Sequence, residues 1–194
     1  VVDGDAGPVE GSSRGLGVLR GYARAGSWAP LTVRLVREAL GNGGTYLDVG
    51  ANIGLTTLPI ARDRRVSCHA FEPDPESRGY LSRNLARHGL TVDVTLHPLA
   101  LYDRSGTLPL AVAAANRGDN RLTAPGTADP ETGVRRTVDV PLARLDDVLD
   151  VASLRRPVAV KVDTQGAEPQ VVAGGPRLLA EAFGNVEVIE EEAT

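Results

Sequence analysis

Cysteine occurs once in these 194 residues, at Cys68, so no internal disulfide can form. Set among apolar neighbours, that thiol is expected to be a small buried hydrophobe rather than a reactive group. No stretch approaches the ~20 apolar residues of a membrane-spanning helix, and none has the layout of a signal peptide. No membrane contact is expected, and the protein is expected in the cytoplasm. Lysine also occurs once, at Lys161, against 20 arginines, in a chain of net charge −4 and pI about 5.4. That acidic balance offers little to a polyanion, so nucleic acid is not an expected partner. The preference for Arg, Ala, Gly and Val fits GC-rich bacterial coding. Methionine is absent and the chain begins at Val1, so the native start is expected upstream. His69 and His88 have no partner at a metal-ligand spacing, and no metal is expected.

What remains suits one α/β domain: 42% apolar and 24% charged residues, with 22 glycines. Residues 1–26, rich in glycine and small side chains, read as a loosely ordered lead-in to a domain over 27–194. The segment PLTVRLVREAL at 30–40 opens with proline and sets Leu31, Leu35 and Leu40 near one helical face, before Gly41-Asn-Gly-Gly44 stops it. Short buried-type strands are predicted at Thr45–Val49, Arg65–Phe71 and Thr91–Leu96. Between them lie a helix over Leu55–Arg62 and another that starts at the Asp74-Pro75 cap and stops at Gly89. From about 100 to 143 the rhythm breaks into an insert. It holds a strand near Gly106–Leu110, a polar loop over Asn116–Gly133 long enough for a lid or substrate loop, and a strand over Val134–Val140. A short helix over Arg144–Val151, a strand over Pro157–Val162, a helix over Glu168–Phe183 broken at Gly174-Gly-Pro, and a strand over Asn185–Ile189 complete the chain. The alternation predicts a doubly wound, mostly parallel sheet with helices on both faces.

Ligands of such sheets bind beyond the carboxyl ends of the strands, where strand order reverses. There the sequence places YLDVGANIG, residues 46–54, and then Glu72 at the end of the second strand. Glycines let backbone pass close to a ligand and adopt positive φ, and a carboxylate 22 residues after Gly50 can accept both hydroxyls of a ribose. A dinucleotide fingerprint would read G-x-G-x-x-G around a pyrophosphate. Here the pattern is D-x-G-x-N-x-G. The acid ahead of the loop, Asp48, repels a pyrophosphate and suits a cofactor with an ammonium group. S-adenosylmethionine is the expected cofactor.

Four blocks stand in an order that resembles the FkbM-type methyltransferases: DVGANIG, FEPDPESRGYLSRNL, LDD at 145–147, and KVDTQGAE at 161–168. The resemblance spans about 30 to 190. It implies a class I methyltransferase (Rossmann-like) fold and methylation of a hydroxyl on a sugar or natural product, with a small-molecule acceptor as partner. By position, Asp48, Gly50, Asn52 and Gly54 resemble the loop around the methionine part, Glu72 the ribose acid, and Pro73 with Asp74 the turn beside the adenine. Ala51, Leu99, Ala100 and Asp163 complete the expected cofactor set. The chain departs from the family pattern at Gln165, where many members have Glu. It also ends after the fifth strand, so the last two strands of a class I sheet are expected to be missing, and either the open edge pairs with another copy as a homodimer or the chain shows little turnover. A nicotinamide-dependent oxidoreductase and an assembly-dependent domain without its own activity are the rival readings.

Transfer of a methyl group to an alcohol needs alignment and a base. Asp163, just past the fourth predicted parallel strand, is the first candidate. His97 and Glu168 are the others, each with a structural alternative: a turn beside Pro98 and the start of a helix, respectively. Lys161 is expected to pair with Asp163 or Glu168 if it points inward. Asn116, Arg117, Asn120 and Arg121 in the insert are candidate hydrogen-bonders to an acceptor, and Glu190 lies at the last strand's end.

Overall fold

The computed structural model describes residues 1–12, 17–113, 117–123, 134–182 and 188–189. Five parallel strands form the main sheet: β1 (Gly44–Val49), β2 (Val66–Phe71), β3 (Val94–His97), β8 (Val158–Val162) and β9 (Val188–Ile189), in the order β3-β2-β1-β8-β9. The chain builds outward from β1 in one direction, then returns to β1's other side with β8. This is the doubly wound class I arrangement, and the reversal of strand order lies beside β1.

Alternation along the strands sets two cores. Leu47 and Val49 of β1 join Val158, Val160 and Val162 of β8 in one buried cluster. That cluster includes Val171 of α6 (Glu168–Gly174) and Leu178 of α7 (Pro176–Ala182). Tyr46 and Ala159 point the other way, into a cluster with residues of α2 (Pro30–Leu40), α3 (Thr57–Ala61) and α4 (Pro75–Arg87). The predicted break at Gly174-Gly-Pro is the junction between α6 and α7.

Asp74 caps α4 as expected: its carboxylate accepts from the Ser77 N–H at 3.1 Å, with Pro75 in the first turn. In α2 the buried face differs from the predicted one. Leu31 is exposed, and Thr32, Val33, Val36 and Leu40 face the core. Val33, Val36 and Leu40 keep the same helical periodicity, rotated from the leucine-only reading because valine serves the core as well.

The insert folds as a sheet of its own. β5 (Gly106–Ala113) and β7 (Val134–Ala143) pair antiparallel, β4 (Ala100–Leu101) adds to β7, and β6 (Arg121–Leu122) adds to β5. This second sheet, in the order β4-β7-β5-β6, has its own apolar cluster around Leu108, Leu110, Val112, Val140 and Leu142. The short α5 (Leu145–Val148) follows it.

Where it is described, the lead-in packs into the core cluster that holds Tyr46 and Ala159. α1 (Val18–Ala25) ends at Gly26 in a left-handed cap, and Ala6, Val9 and Tyr22 are fully buried. The Tyr22 hydroxyl accepts from the Ala6 N–H at 2.8 Å and donates to the Gly7 carbonyl at 3.1 Å. Buried Asn84 of α4 takes the Glu10 N–H on its carbonyl and donates its amide to the carbonyls of Glu10 and Ile53. These bonds tie segments far apart in sequence, which composition alone cannot reveal. Among the described residues, no helix is long and apolar enough to cross a membrane.

Candidate functional site

A cavity of about 660 Å³ opens at the carboxyl ends of β1, β2 and β8, where the strand order reverses. Its floor follows from strand register. Asp48 and Lys161 are direct neighbours across the β1–β8 pair, so their side chains emerge on the same face. Lys161 Nζ lies 3.1 Å from Asp48 Oδ1 and donates to the Gly50 carbonyl at 3.0 Å. Two residues on, and so on the same side, Asp163 brings its Oδ2 to 3.6 Å from the same ammonium. The second Asp48 oxygen accepts from the hydroxyls of Thr56 (2.7 Å) and Thr57 (2.6 Å). A carboxylate wholly withdrawn from water is tolerable only when so fully bonded.

Asp48 is therefore the foundation of the floor and does not line the cavity, contrary to its expected place beside an ammonium group. Thr56 and Thr57 carry no motif signal, and their role is visible only once the loop is folded.

Glu72 follows β2 directly and does line the cavity. One carboxylate oxygen accepts from the Asn52 N–H and the other from the Asp74 N–H, both at 2.8 Å. Burial pushes its pKa up to about 7, against the opposing pull of those two N–H groups. A carboxylate offers about four lone-pair sites, so two backbone bonds leave acceptor capacity toward the cavity. Asp74, two residues later, is spent differently. It is fully buried, bonded to Ser77 and to Arg136 of β7 at 2.7 Å, and off the cavity wall.

Backbone strain converges on this cavity. Ala29 (φ 46°), Asn52 (φ 50°) and Gln165 (φ 59°) are the non-glycine residues with positive φ among the described residues, and all three line it. Gly50 and Gly54 have positive φ, as expected, and Gly50 lines the cavity, but both positions are also closed to a side chain by the protein itself. A Cβ on Gly50 (φ 80°) would sit 1.9 Å from the Asp163 carbonyl oxygen, and one on Gly54 would sit 2.6 Å from Leu81. Both glycines let the chain approach itself, and Gly54 does not line the cavity.

The candidate bases separate cleanly. Asp163 lines the cavity with a side chain 25% exposed, its Oδ1 accepting from Gln165 Nε2 at 2.7 Å. Glu168 does not line it; its carboxylate takes the Thr164 N–H, the Thr164 hydroxyl and the Gly166 N–H, closing the turn before α6. Burial raises its pKa, but hydrogen bonds from its own backbone, Thr164 and Gly166 outweigh that and leave it lowered. His97 is a register neighbour of Phe71 and stacks on it at 4.3 Å, with its Nε2 3.1 Å from His69 Nδ1. Burial, then proximity to His69, pushes its pKa down to about 4, and it lies off the cavity wall. His97 and Glu168 are thus built into the frame. Ala51, Asn52, Pro73, Leu99 and Ala100 all line the cavity as expected.

Asn120 and Arg121 of the insert line the cavity as expected, but the apolar part of its roof was missed by sequence reasoning. Val18, Trp28 and Ala29 from the N-terminal region contribute to it, together with Leu110 and Leu122 of the insert sheet. The one available signal was the isolated tryptophan in Trp28-Ala-Pro. Arg121 also lines the cavity, bonded to Asp119 at 2.8 Å, while Asn116 and Glu190 lie outside the described residues. Cys68 is buried, and burial, aided by Asp48 and Asp93, pushes its thiol up to about 12. Among the described residues no three His, Cys, Asp or Glu side chains gather as a metal site.

The chain is similar in sequence to proteins already known. The chain is 34% identical over 152 residues to the methyltransferase sdnD of Sordaria araneosa, covering 66% of this chain and 59% of that protein. It is 30% identical over 142 residues to methyltransferase 1 of Beauveria bassiana, covering 66% and 57%. The chain thus spans somewhat over half the length of these curated relatives. A solved structure, precorrin-6y C5,15-methyltransferase from Geobacter metallireducens, overlaps all of this chain and 71% of its own, at 14% identity and a TM-score of 0.49. Residues 48–193 match the family described as the methyltransferase FkbM domain, and the chain belongs to that family.

Proposed function

We propose that the protein is an S-adenosylmethionine-dependent methyltransferase that methylates a hydroxyl of a small molecule, a sugar or a natural product. The observation that carries this reading is the pair of carboxylates, Glu72 and Asp163, at the ends of strands flanking β1, facing one cavity across the Gly50 turn. The residues present fit the cofactor. Glu72 has acceptor sites for a ribose diol, and Phe71, Pro73, Leu99 and Ala100 give an apolar edge suited to a flat base. When bound, the cofactor supplies a methyl group on a positively charged sulfur.

The chain's own task is alignment and proton handling. Lys161 fixes the Gly50 carbonyl and stands 3.6 Å from Asp163, while Gln165 holds the other Asp163 oxygen. Both oxygens keep a further lone pair for a hydroxyl. Asp163 so held can orient an acceptor alcohol and receive its proton as the oxygen attacks.

Two measurements test this. Calorimetry should show S-adenosylhomocysteine binding, with NADH failing to compete; the opposite preference would overturn the reading in favour of an oxidoreductase. With a hydroxyl acceptor in hand, Asp163→Asn should slow methyl transfer by ~10²–10⁴ while S-adenosylhomocysteine affinity stays within a few-fold. If folding and cofactor affinity fall together with rate, Asp163 is part of the frame instead.

A further inference from the structure

Resting on that reading, we infer that the roof is the acceptor half of the site, and that it takes an uncharged hydroxyl compound with a flat or ring-shaped apolar face rather than a phosphorylated one. Trp28 is the specificity-determining residue. Its ring lies directly on the backbone of α1: a Cβ built on Gly21 would be 2.9 Å from the ring's Cζ3. Glycine at that point lets the indole approach the helix and leaves it part of the cavity wall. The next residue, Ala29, is held at φ 46° and ψ 50°, a left-handed conformation that a non-glycine residue resists and that is disfavoured before proline. The chain bears this strain where Trp28 is presented, as strained backbone at working sites commonly does. Leu110 and Leu122 of the insert sheet line the same cavity and add apolar surface. An indole and aliphatic side chains together suit the apolar face of a ring, through area burial and stacking.

Charge supplies the second half of the inference. The charged side chains of the described wall are Glu72, Asp119 and Asp163 against Arg121 and Lys161. Both cations are engaged: Arg121 with Asp119 at 2.8 Å, and Lys161 with Asp48 at 3.1 Å. Glu72 belongs to the cofactor half, which leaves Asp119 and Asp163 beside two cations already held by carboxylates, so among the described residues the acceptor half offers a phosphate no uncommitted positive charge. The favoured acceptor carries its hydroxyl on an uncharged frame.

The test uses protein loaded with S-adenosylhomocysteine and three uncharged probes: 2-naphthol, 4-nitrophenyl β-glucoside and cholesterol sulfate's parent alcohol in cyclodextrin, the first two paired with their phosphate monoesters. We expect calorimetric binding of at least one uncharged probe, and at least tenfold weaker binding by the phosphate of each binder that has one. Trp28→Ala should weaken the bound probe about tenfold. Gly21→Ala should do so by several-fold through displacement of the ring, in a helix that alanine favours. Both variants should keep S-adenosylhomocysteine affinity within about twofold. Absence of binding by every uncharged probe, a phosphate that binds as well as its parent, or variants that hold the probe like the wild type would each overturn the inference. Failure of the wild type to bind S-adenosylhomocysteine would instead strike the underlying reading.

Discussion

Gly50 in the floor and Gly21 in the roof both mark places where the chain leaves no room for a side chain, yet they differ in what stands opposite. Beyond Gly50 is the backbone carbonyl of Asp163, with a notional Cβ 1.9 Å away, and Gly50 itself has φ 80°. Beyond Gly21 is the edge of one indole ring. A carbonyl in the strand-to-helix turn cannot move without dragging β8 and the Lys161–Asp48 pair with it, whereas a ring on the cavity wall can swing. The same contrast runs through both regions. The floor is fixed by buried, multiply bonded charges: Asp48 with three donors, Glu72 with two backbone N–H groups. The roof is a helix, a tryptophan and a small sheet with a separate apolar cluster.

The largest expected effect breaks the floor. Gly50→Ala introduces both the steric overlap with the Asp163 carbonyl and a left-handed conformation costing roughly 1–2 kcal/mol by itself. We expect a loss of at least about 3 kcal/mol, a large share of the 5–15 kcal/mol that holds a typical domain together. Denaturant unfolding should show it, while Gly21→Ala unfolds within about 1 kcal/mol of the wild type. Equal stability of the two variants would dissolve the distinction between floor and roof.

A smaller effect concerns Glu72 and pH. Its carboxyl, at about 7 when folded against an ordinary 4.5, holds its proton to higher pH than in the unfolded chain. Folding stability from this group is therefore present below about pH 4.5 and is lost as pH rises through 7. A ribose diol held by Glu72, as proposed, would donate to the anion, so binding runs in the opposite direction. S-adenosylhomocysteine affinity should rise roughly tenfold between pH 6 and pH 8, following the ionised fraction. Glu72→Gln should bind more weakly and lose that slope. A wild-type affinity independent of pH across this window would show that the Glu72 anion is not what the ligand meets.

The sequence made the floor readable because its chemistry is local. Glycines, a strand-ending acid and the KVDTQGAE block sit within short spans, and strand alternation alone brings Lys161 and Asp163 to one side. What it could not show was which way each carboxylate spends its lone pairs. Asp48 and Asp74 look as available as Glu72 in the sequence, and only the folded loop reveals Thr56, Thr57 and Lys161 around one, and Ser77 and Arg136 around the other. Apart from Asn120 and Arg121, the roof was illegible for a related reason. Its residues come from a glycine-rich lead-in and an insert whose contacts, such as Asn84 with Glu10 or Tyr22 with Ala6, span distances that no periodicity records.

The smallest expected effect probes the tether between the two regions. Arg136 of the insert sheet reaches Asp74 at 2.7 Å and Glu76 at 3.8 Å, its side chain 32% exposed and that of Asp74 fully buried. Arg136→Ala takes a cation from a buried carboxylate that still accepts from the Ser77 N–H and hydroxyl. The arginine's partial exposure screens the pair, so we expect a stability loss of about 1–2 kcal/mol, shrinking at high salt. Cofactor affinity should hardly change, because Glu72 is positioned by the backbone N–H of Asp74 and not by its carboxylate. Binding of an acceptor probe should weaken two- to threefold as the insert sheet loses its anchor. If Arg136→Ala instead cost S-adenosylhomocysteine tenfold or more and left the probe untouched, the insert would belong to the floor, and the division of the cavity between cofactor and acceptor would have to be redrawn.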